Sequence, residues 1–271
     1  MKPTHILIAL AALVYAAPVV EQPMALAIPG LDTHFQPHVK RCDRGPPQYE
    51  GKYPYRNQTY NQIDDGTPCR NVTMIYARGL KQKGNVGKVG DTGPMIFNHL
   101  AELIGPENLA IAGVTFKAKI RDWMAPKKSK GGLVMVELIK RAASQCPNTK
   151  IVLVGYSVGG KVLHKAAENL SWGMTQRITA AVTLGHKKKG SMGAELMGRI
   201  PATRTLVICK KGDAFCDRKL PWETIFGVPG LFFWLIKMVG KHTSYEENAA
   251  TAAIFINSRL NGNFTDIYYW A

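Results

Sequence analysis

The sequence predicts an α/β fold in which a central, mainly parallel sheet of five strands is covered by helices on both faces. Three observations lead there. From about position 66 onward, short β-rich apolar runs alternate with segments of helical period. Helices separate the apolar runs, and parallel strands need long crossovers of that kind, which cover the sheet. The chain is also long enough to bury a substantial core: it has 271 residues, of which 46% are hydrophobic and 20% charged. That composition excludes a disordered chain, a collagen-like repeat and a small disulfide scaffold.

The elements follow in order. Residues 72–77 are β-rich and run into Arg78 and Gly79, and residues 94–103 have helical spacing with Met95, Leu100 and Leu103 among the apolar positions. A second strand is expected at 109–116, a helix at 133–143, a third strand at 151–154 and a helix at 161–170. Strands at 178–184 and 205–209 complete the sheet. In a last helix, Tyr245, Ala249, Ala252, Ala253, Ile256 and Leu260 share one apolar face, and Ser244 to Glu247 has the spacing of a capping box. There is no internal repeat.

Ahead of this domain, Lys2, an apolar run over 6–15 and the small residues Ala16 and Ala17 have the order of a secretory signal, with cleavage expected near Ala16. The run is too short for a membrane anchor, which needs roughly 20 apolar residues. Residues 17–65 are rich in Pro, Gln, Asn and Tyr without sustained periodicity, and are expected to be a poorly ordered extension or propeptide. The composition changes near Gly66, so the main domain is expected over 66–271. Sequons at Asn57, Asn71, Asn169 and Asn263 are compatible with a glycoprotein on an export route.

Five cysteines in an exported chain imply two disulfides and one left over. Cys209 and Cys216 can close a short local loop, which leaves Cys42, Cys69 and Cys146. Cys42 lies in the compositionally different extension, which favours Cys69 with Cys146. The Cys and His spacings do not form a zinc site, so no metal is expected.

Lys and Arg total 35 against 19 Asp and Glu, a net charge of +16. Residues 1–65 contain six of each sign, so the excess belongs to the main domain. Such a balance favours encounter with an anionic wall or lipid surface. No zinc finger, RNP pattern or basic helix accompanies it, so no nucleic-acid partner is expected. The Lys runs at 127–130 and 187–189 read as solvated loops.

The most informative segment joins the strand at 151–154 to the following helix through Gly155, Ser157 and Gly159, a G-x-S-x-G pattern. A sharp turn there exposes the central hydroxyl, and the glycines let strand and helix approach without colliding. Ser157 is therefore the candidate nucleophile, with the positive end of the next helix facing any oxyanion. A serine needs a base and an acid to orient that base. His99 and His164 fall in helical patterns, and His186 precedes three lysines that would oppose an imidazolium. His242 precedes the last helix and is the preferred base. Asp213 sits inside the Cys209–Cys216 segment, where a covalent clamp would hold it still. Its rival roles are an exposed partner for Lys210 or Lys211, with Asp217 as the reserve acid. The chain order Ser157, Asp213, His242 is that of α/β-hydrolases.

These residues resemble the cutinase-like serine esterases, which include cutinases and acetylxylan esterases of carbohydrate esterase family 5. The resemblance spans about residues 66–262. It rests on Ala77-Arg78-Gly79, Gly84-Asn85-Val86-Gly87, Cys146-Pro147, the Ser157 elbow, Cys209 to Cys216 around Asp213, and His242 with Tyr245 three positions later. It implies a three-layer α/β-hydrolase-type fold, the triad named above, disulfides Cys69–Cys146 and Cys209–Cys216, and an oxyanion hole from the backbone N–H groups of Leu80 and Val158. The implied activity is cofactor-free hydrolysis of cutin or a similar polyester by a monomer, with acetylated xylan as the alternative substrate and a catalytically impaired surface-binding protein as the alternative role. The sequence departs from the family in three places. Leu80 stands where a hydroxyl residue is common, Val158 where Gln is usual, and Asp213 and His242 are 29 positions apart, with an apolar insertion at 225–236 between them. That insertion reads either as a lid or acyl-chain wall or as core packing.

Overall fold

The chain is described by a computed structural model, which covers residues 53–118, 130–186, 197–213, 216, 240 and 242–264. The signal segment, Cys42, Asp217, the Lys run at 187–189 and the apolar insertion at 225–236 lie outside the described residues, as do 127–129 of the other Lys run.

Five strands form one sheet: β1 (Val72–Ala77), β2 (Leu109–Gly113), β3 (Lys150–Tyr156), β4 (Ile178–Leu184) and β5 (Thr205–Ile208). All four pairings are parallel, and the spatial order is β2-β1-β3-β4-β5. The chain leaves β1 toward β2 and later leaves β3 in the opposite direction. The gap between β1 and β3 is therefore the topological switch point, where ligands of open α/β sheets bind beyond the carboxyl ends of the strands.

Among the described residues, five α-helices accompany the strands: α1 (Thr92–Ile104), α2 (Gly131–Gln145), α3 (Val158–Asn169), α4 (Trp172–Gln176) and α5 (Ala249–Leu260). Helices α1 and α5 pack together on one face of the sheet, and α2 and α3 on the other. The strands are apolar on both sides because both sides are covered. Met74, Tyr76, Val152 and Val154 face the α1/α5 layer, while Ile75, Ala77, Ile151 and Leu153 face α2/α3. A full burial of one such aliphatic side chain contributes about 1.5–3 kcal/mol, so this doubly covered sheet is the main source of cohesion. In β4 the alternation breaks at Thr179, because Ile151 pairs with Ile178 but Val152 pairs with Ala180. The extra residue is a bulge that returns Ala180 and Val182 to the α1/α5 side.

Residues 53–65, assigned by composition to the extension, pack against the domain. Tyr55 and Tyr60 are buried with Phe97 in edge-to-face contact, and the Tyr55 hydroxyl donates to the Leu109 carbonyl at 2.6 Å. Asn61 bridges Ala112 antiparallel, Gln62 N–H donates to the Ile111 carbonyl, and Gly113 N–H donates to the Tyr60 carbonyl. This segment covers the open edge of β2, which would otherwise present unpaired main-chain groups. The packed unit therefore begins upstream of Gly66.

The disulfide Cys69–Cys146 ties the lead into β1 to the end of α2, and Cys209–Cys216 closes the loop after β5. The capping box at Ser244 is not formed. Ser244 makes no side-chain cap, and residues Tyr245–Asn248 form a short 3-10 turn ahead of α5. Lys210 takes up both side chains instead. Its ammonium donates to Ser244 Oγ at 3.0 Å and pairs with Glu247 at 2.6 Å. Among the described residues, no helix is long and apolar enough to cross a membrane.

Candidate active site

Ser157 lies between β3 and α3 with φ 53° and ψ −117°, one of two non-glycine residues with positive φ among those described. A β-carbon in this region is strained, so the turn persists only because its surroundings fix it. Two of those constraints are steric. A β-carbon at Gly155 would sit 2.5 Å from the Gly159 carbonyl oxygen, and one at Gly159 would sit 1.9 Å from the Ala77 carbonyl oxygen. Both glycines are thus required for β1, β3 and α3 to meet. A third constraint is the Ser157 N–H, which donates to the Leu184 carbonyl at 2.8 Å and ties the turn to the end of β4.

The structure brings Ser157, His242 and Asp213 together. Ser157 Oγ is 2.8 Å from His242 Nε2, and His242 Nδ1 is 2.8 Å from Asp213 Oδ2. Tyr156, beside the serine, donates its hydroxyl to the His242 carbonyl at 2.9 Å and stacks near the imidazole at a 24° interplanar angle. The imidazole side chain is 16% exposed and the Asp213 side chain 0%. Asp213 is therefore not an exposed partner of Lys210, which pairs with Glu247.

Among the described residues, three donors serve the buried carboxylate. Besides His242, the Tyr245 hydroxyl donates to Asp213 Oδ2 at 2.8 Å, and Cys216 N–H donates to Oδ1 at 3.1 Å. Burial favours the neutral acid, but the bond and charge of His242, then the bonds from Tyr245 and Cys216, outweigh it. They hold the Asp213 carboxyl below the ordinary value. Tyr245 is fully buried and accepts from Lys210 N–H at 2.9 Å. Burial, with the nearby Asp213 charge, pushes its phenol well up, so it remains a donor. The sequence placed Tyr245 on the apolar helix face and in the family pattern. Its hydrogen bond to the acid was not legible there, although its position three residues beyond the base was a usable signal.

The expected oxyanion donors occupy neighbouring segments. Val158 opens α3, and first-turn N–H groups have no intrahelical acceptor. Leu80 follows β1, whose end is held beside the elbow by the Ala77–Gly155 register. The Leu80 turn is shaped by Gln82: its carbonyl accepts from Arg78 Nε, and its side-chain oxygen accepts from Gly79 N–H at 2.8 Å. The other described histidines have other neighbours, although His186 packs against Gly160. His99 meets Glu102 at 3.4 Å on α1, while His164 and His186 are buried against each other with ring centroids 5.2 Å apart.

A parallel sheet with a strained serine at its switch point, hydrogen-bonded to a histidine from a later loop, has the architecture of an α/β-hydrolase. The Cutinase family model matches residues 68–260. A cutinase of Hypocrea jecorina is 34% identical over 192 residues, covering 71% of this chain and 68% of that protein. Cutinase CUT2 of Pyricularia oryzae is 33% identical over 208 residues, covering 74% of this chain and 86% of that one. Among solved structures, Trichoderma reesei cutinase in complex with a phosphonate inhibitor superposes with a TM-score of 0.60 at 32% identity, covering 75% of this chain and 80% of that one. The chain belongs to the cutinase family and is a carboxylic ester hydrolase.

The bonds to Asp213 make stability depend on pH. Its folded pKa is lowered, so this contribution is fully present above the unfolded value of about 3.9 and is lost as pH falls through the folded value. Urea unfolding from about pH 6 down to about pH 2 should show wild-type stability falling at the acid end and a shallower dependence in Asp213→Asn. Parallel curves for the two proteins would contradict this coupling.

Proposed function

We propose that the chain is an exported serine esterase that cuts cutin or a similar hydrophobic polyester, with Ser157 as nucleophile, His242 as general base and Asp213 as the acid that orients it. The observation that carries this reading is the continuous hydrogen-bonded path from Ser157 Oγ through His242 to the buried Asp213.

His242 Nε2 takes the Ser157 proton as Oγ attacks the ester carbonyl carbon. The backbone N–H groups of Leu80 and Val158 stabilise the resulting oxyanion, each such donor being worth roughly 3 kcal/mol in the transition state. The C–O bond to the alcohol breaks, and the imidazolium returns the proton to the leaving oxygen. Water, deprotonated in turn by His242, attacks the acyl carbon; the bond to Ser157 Oγ breaks, the imidazolium returns the proton to that oxygen, and the carboxylic acid is released. Asp213 stays ionised throughout and stabilises the imidazolium. Tyr245 is a positioning residue that acts through Asp213.

The polyester substrate is supported by the cutinase relatives. Export is supported by the charge, apolar core and small-residue order at the N-terminus and by two disulfides. The hydrogen-bonded triad geometry argues against a catalytically impaired binding role. The Val158 donor does not depend on its side chain, since the main chain supplies it, whereas Leu80 lacks the side-chain hydroxyl that supports the hole in the family and lowers the expected activity.

Two experiments test these roles. Tyr245→Phe deletes a donor to the buried carboxylate. It is expected to lower kcat on a soluble ester by roughly tenfold, equivalent to about 1.4 kcal/mol, with KM unchanged; its kcat–pH profile should shift, whereas a purely structural defect would lower all rates alike. For substrate class, p-nitrophenyl butyrate, a cutin film and acetylated xylan are compared with wild type and Ser157→Ala. Turnover of butyrate and cutin, abolished in the variant, is expected. Activity confined to acetylated xylan would reverse the substrate assignment.

A further inference from the structure

Six exposed lysines stand out by what they do not touch. Lys81, Lys83, Lys88, Lys117, Lys130 and Lys211 are exposed. Among the described residues, none of them forms a salt bridge. Several cations elsewhere are engaged. On the flanks, Lys140 and Arg141 pair with Glu137 and Asp64. At the amino ends of the strands, Arg70, Arg177 and Arg204 donate to main-chain carbonyls.

The six also share a location. Lys81, Lys83 and Lys88 lie in the connection that leaves β1, Lys117 follows the end of β2, Lys130 caps the start of α2, and Lys211 follows β5. Because every strand is parallel, these connections start or end at the same edge of the sheet as Ser157, which closes β3. The carboxylates described at this edge do not balance them. Asp213 is buried beside His242, Glu247 pairs with Lys210, and Asp91 and Glu246, both half-buried and close to each other, leave two negative charges for six lysines. Part of the domain's charge excess thus stands at the carboxyl ends of the strands, the edge that carries Ser157, as ammonium groups without a salt bridge among the described residues.

We propose that this edge is a cationic docking face for the surface of a partly hydrolysed polyester, a solid that acquires carboxylates as its own esters are cut. The inference rests on the polyester reading above and adds what holds the enzyme to the polymer. Each turnover consumes one ester and one water and leaves one alcohol and one carboxylic acid. At neutral pH that acid loses its proton to solvent, and on an insoluble chain the carboxylate remains attached. A surface already attacked is therefore more anionic than a fresh one and attracts the edge that carries Ser157. Single exposed ion pairs are weak, but several acting together on one surface add up. The attraction is screened by salt, with a Debye length of about 10 Å at 0.1 M.

The test uses the full chain on polycaprolactone films, either untreated or etched with dilute alkali so that the surface bears carboxylates. Adsorption, film hydrolysis and p-nitrophenyl butyrate turnover are measured for wild type and for two variants. One carries Lys83→Glu, Lys88→Glu, Lys117→Glu and Lys130→Glu; the other carries Arg at the same four positions. Wild type is expected to adsorb roughly tenfold more strongly to the etched film at low salt and to lose that preference near ~1 M NaCl. The Glu variant should lose the preference, the Arg variant should keep it, and all three should turn over the soluble ester alike. Equal adsorption to both films, or a preference that survives in the Glu variant, would overturn the docking face. So would tighter binding to phosphatidylserine vesicles than to the etched film, which would reassign the face to a membrane. Film hydrolysis is read separately: salt-sensitive, lysine-dependent adsorption without release of acid would contradict the polyester substrate while leaving the electrostatic face in place.

Discussion

Asp213 is a carboxylate with no solvent exposure, and an ion in that position persists only if protein groups replace the water it has lost. Here His242, Tyr245 and the Cys216 N–H do so. Each partner is fixed in turn. The disulfide with Cys209 closes the loop that carries Cys216, Lys210 N–H fixes the Tyr245 hydroxyl, and Tyr156 holds the main chain of His242. The ionised acid therefore dictates the tautomer and direction of the imidazole, which places Nε2 against Ser157.

The sheet supplies the other half of the arrangement. Ser157 occupies a strained turn that a flexible chain would not hold, and rigid elements enforce it from three sides: β1 through Ala77, β4 through Leu184 and α3 through Gly159. The switch point between β1 and β3 brings the Leu80 turn and the start of α3 to the same place. One topological feature thus positions Ser157, the proposed nucleophile, and the expected oxyanion donors, while the loop after β5 and the approach to α5 deliver Asp213 and His242, the proposed acid and base. The lysines at this edge follow from the same topology, since parallel strands send all their outgoing connections to one side.

The legibility of these features in the sequence depended on how local their causes are. The elbow was legible because strand, turn glycines and helix are contiguous, and both faces of the sheet were legible because the strands are apolar throughout. Asp213 and His242 followed from chain order and from the cysteines flanking the acid. The features that were not legible depend on distant partners. Ser244 and Glu247 have capping-box spacing, but Lys210, more than thirty positions earlier, takes both side chains. Residues 53–65 meet the β2 edge through main-chain bonds of Tyr60 and Gln62 and side-chain bonds of Tyr55 and Gln62, scattered contacts that make no regular period to read. Tyr245 shows the apolar ring that the helix pattern needs, and its hydroxyl finds Asp213 only in three dimensions.

The central claim is that one hydroxyl among many has been made reactive by His242. A fluorophosphonate probe, followed by peptide mapping of the full chain, tests it most directly. The account predicts stoichiometric phosphonylation of Ser157 in the wild type and its loss in folded His242→Ala. Labelling at another residue, or labelling of Ser157 that persists at the same rate without His242, would contradict it.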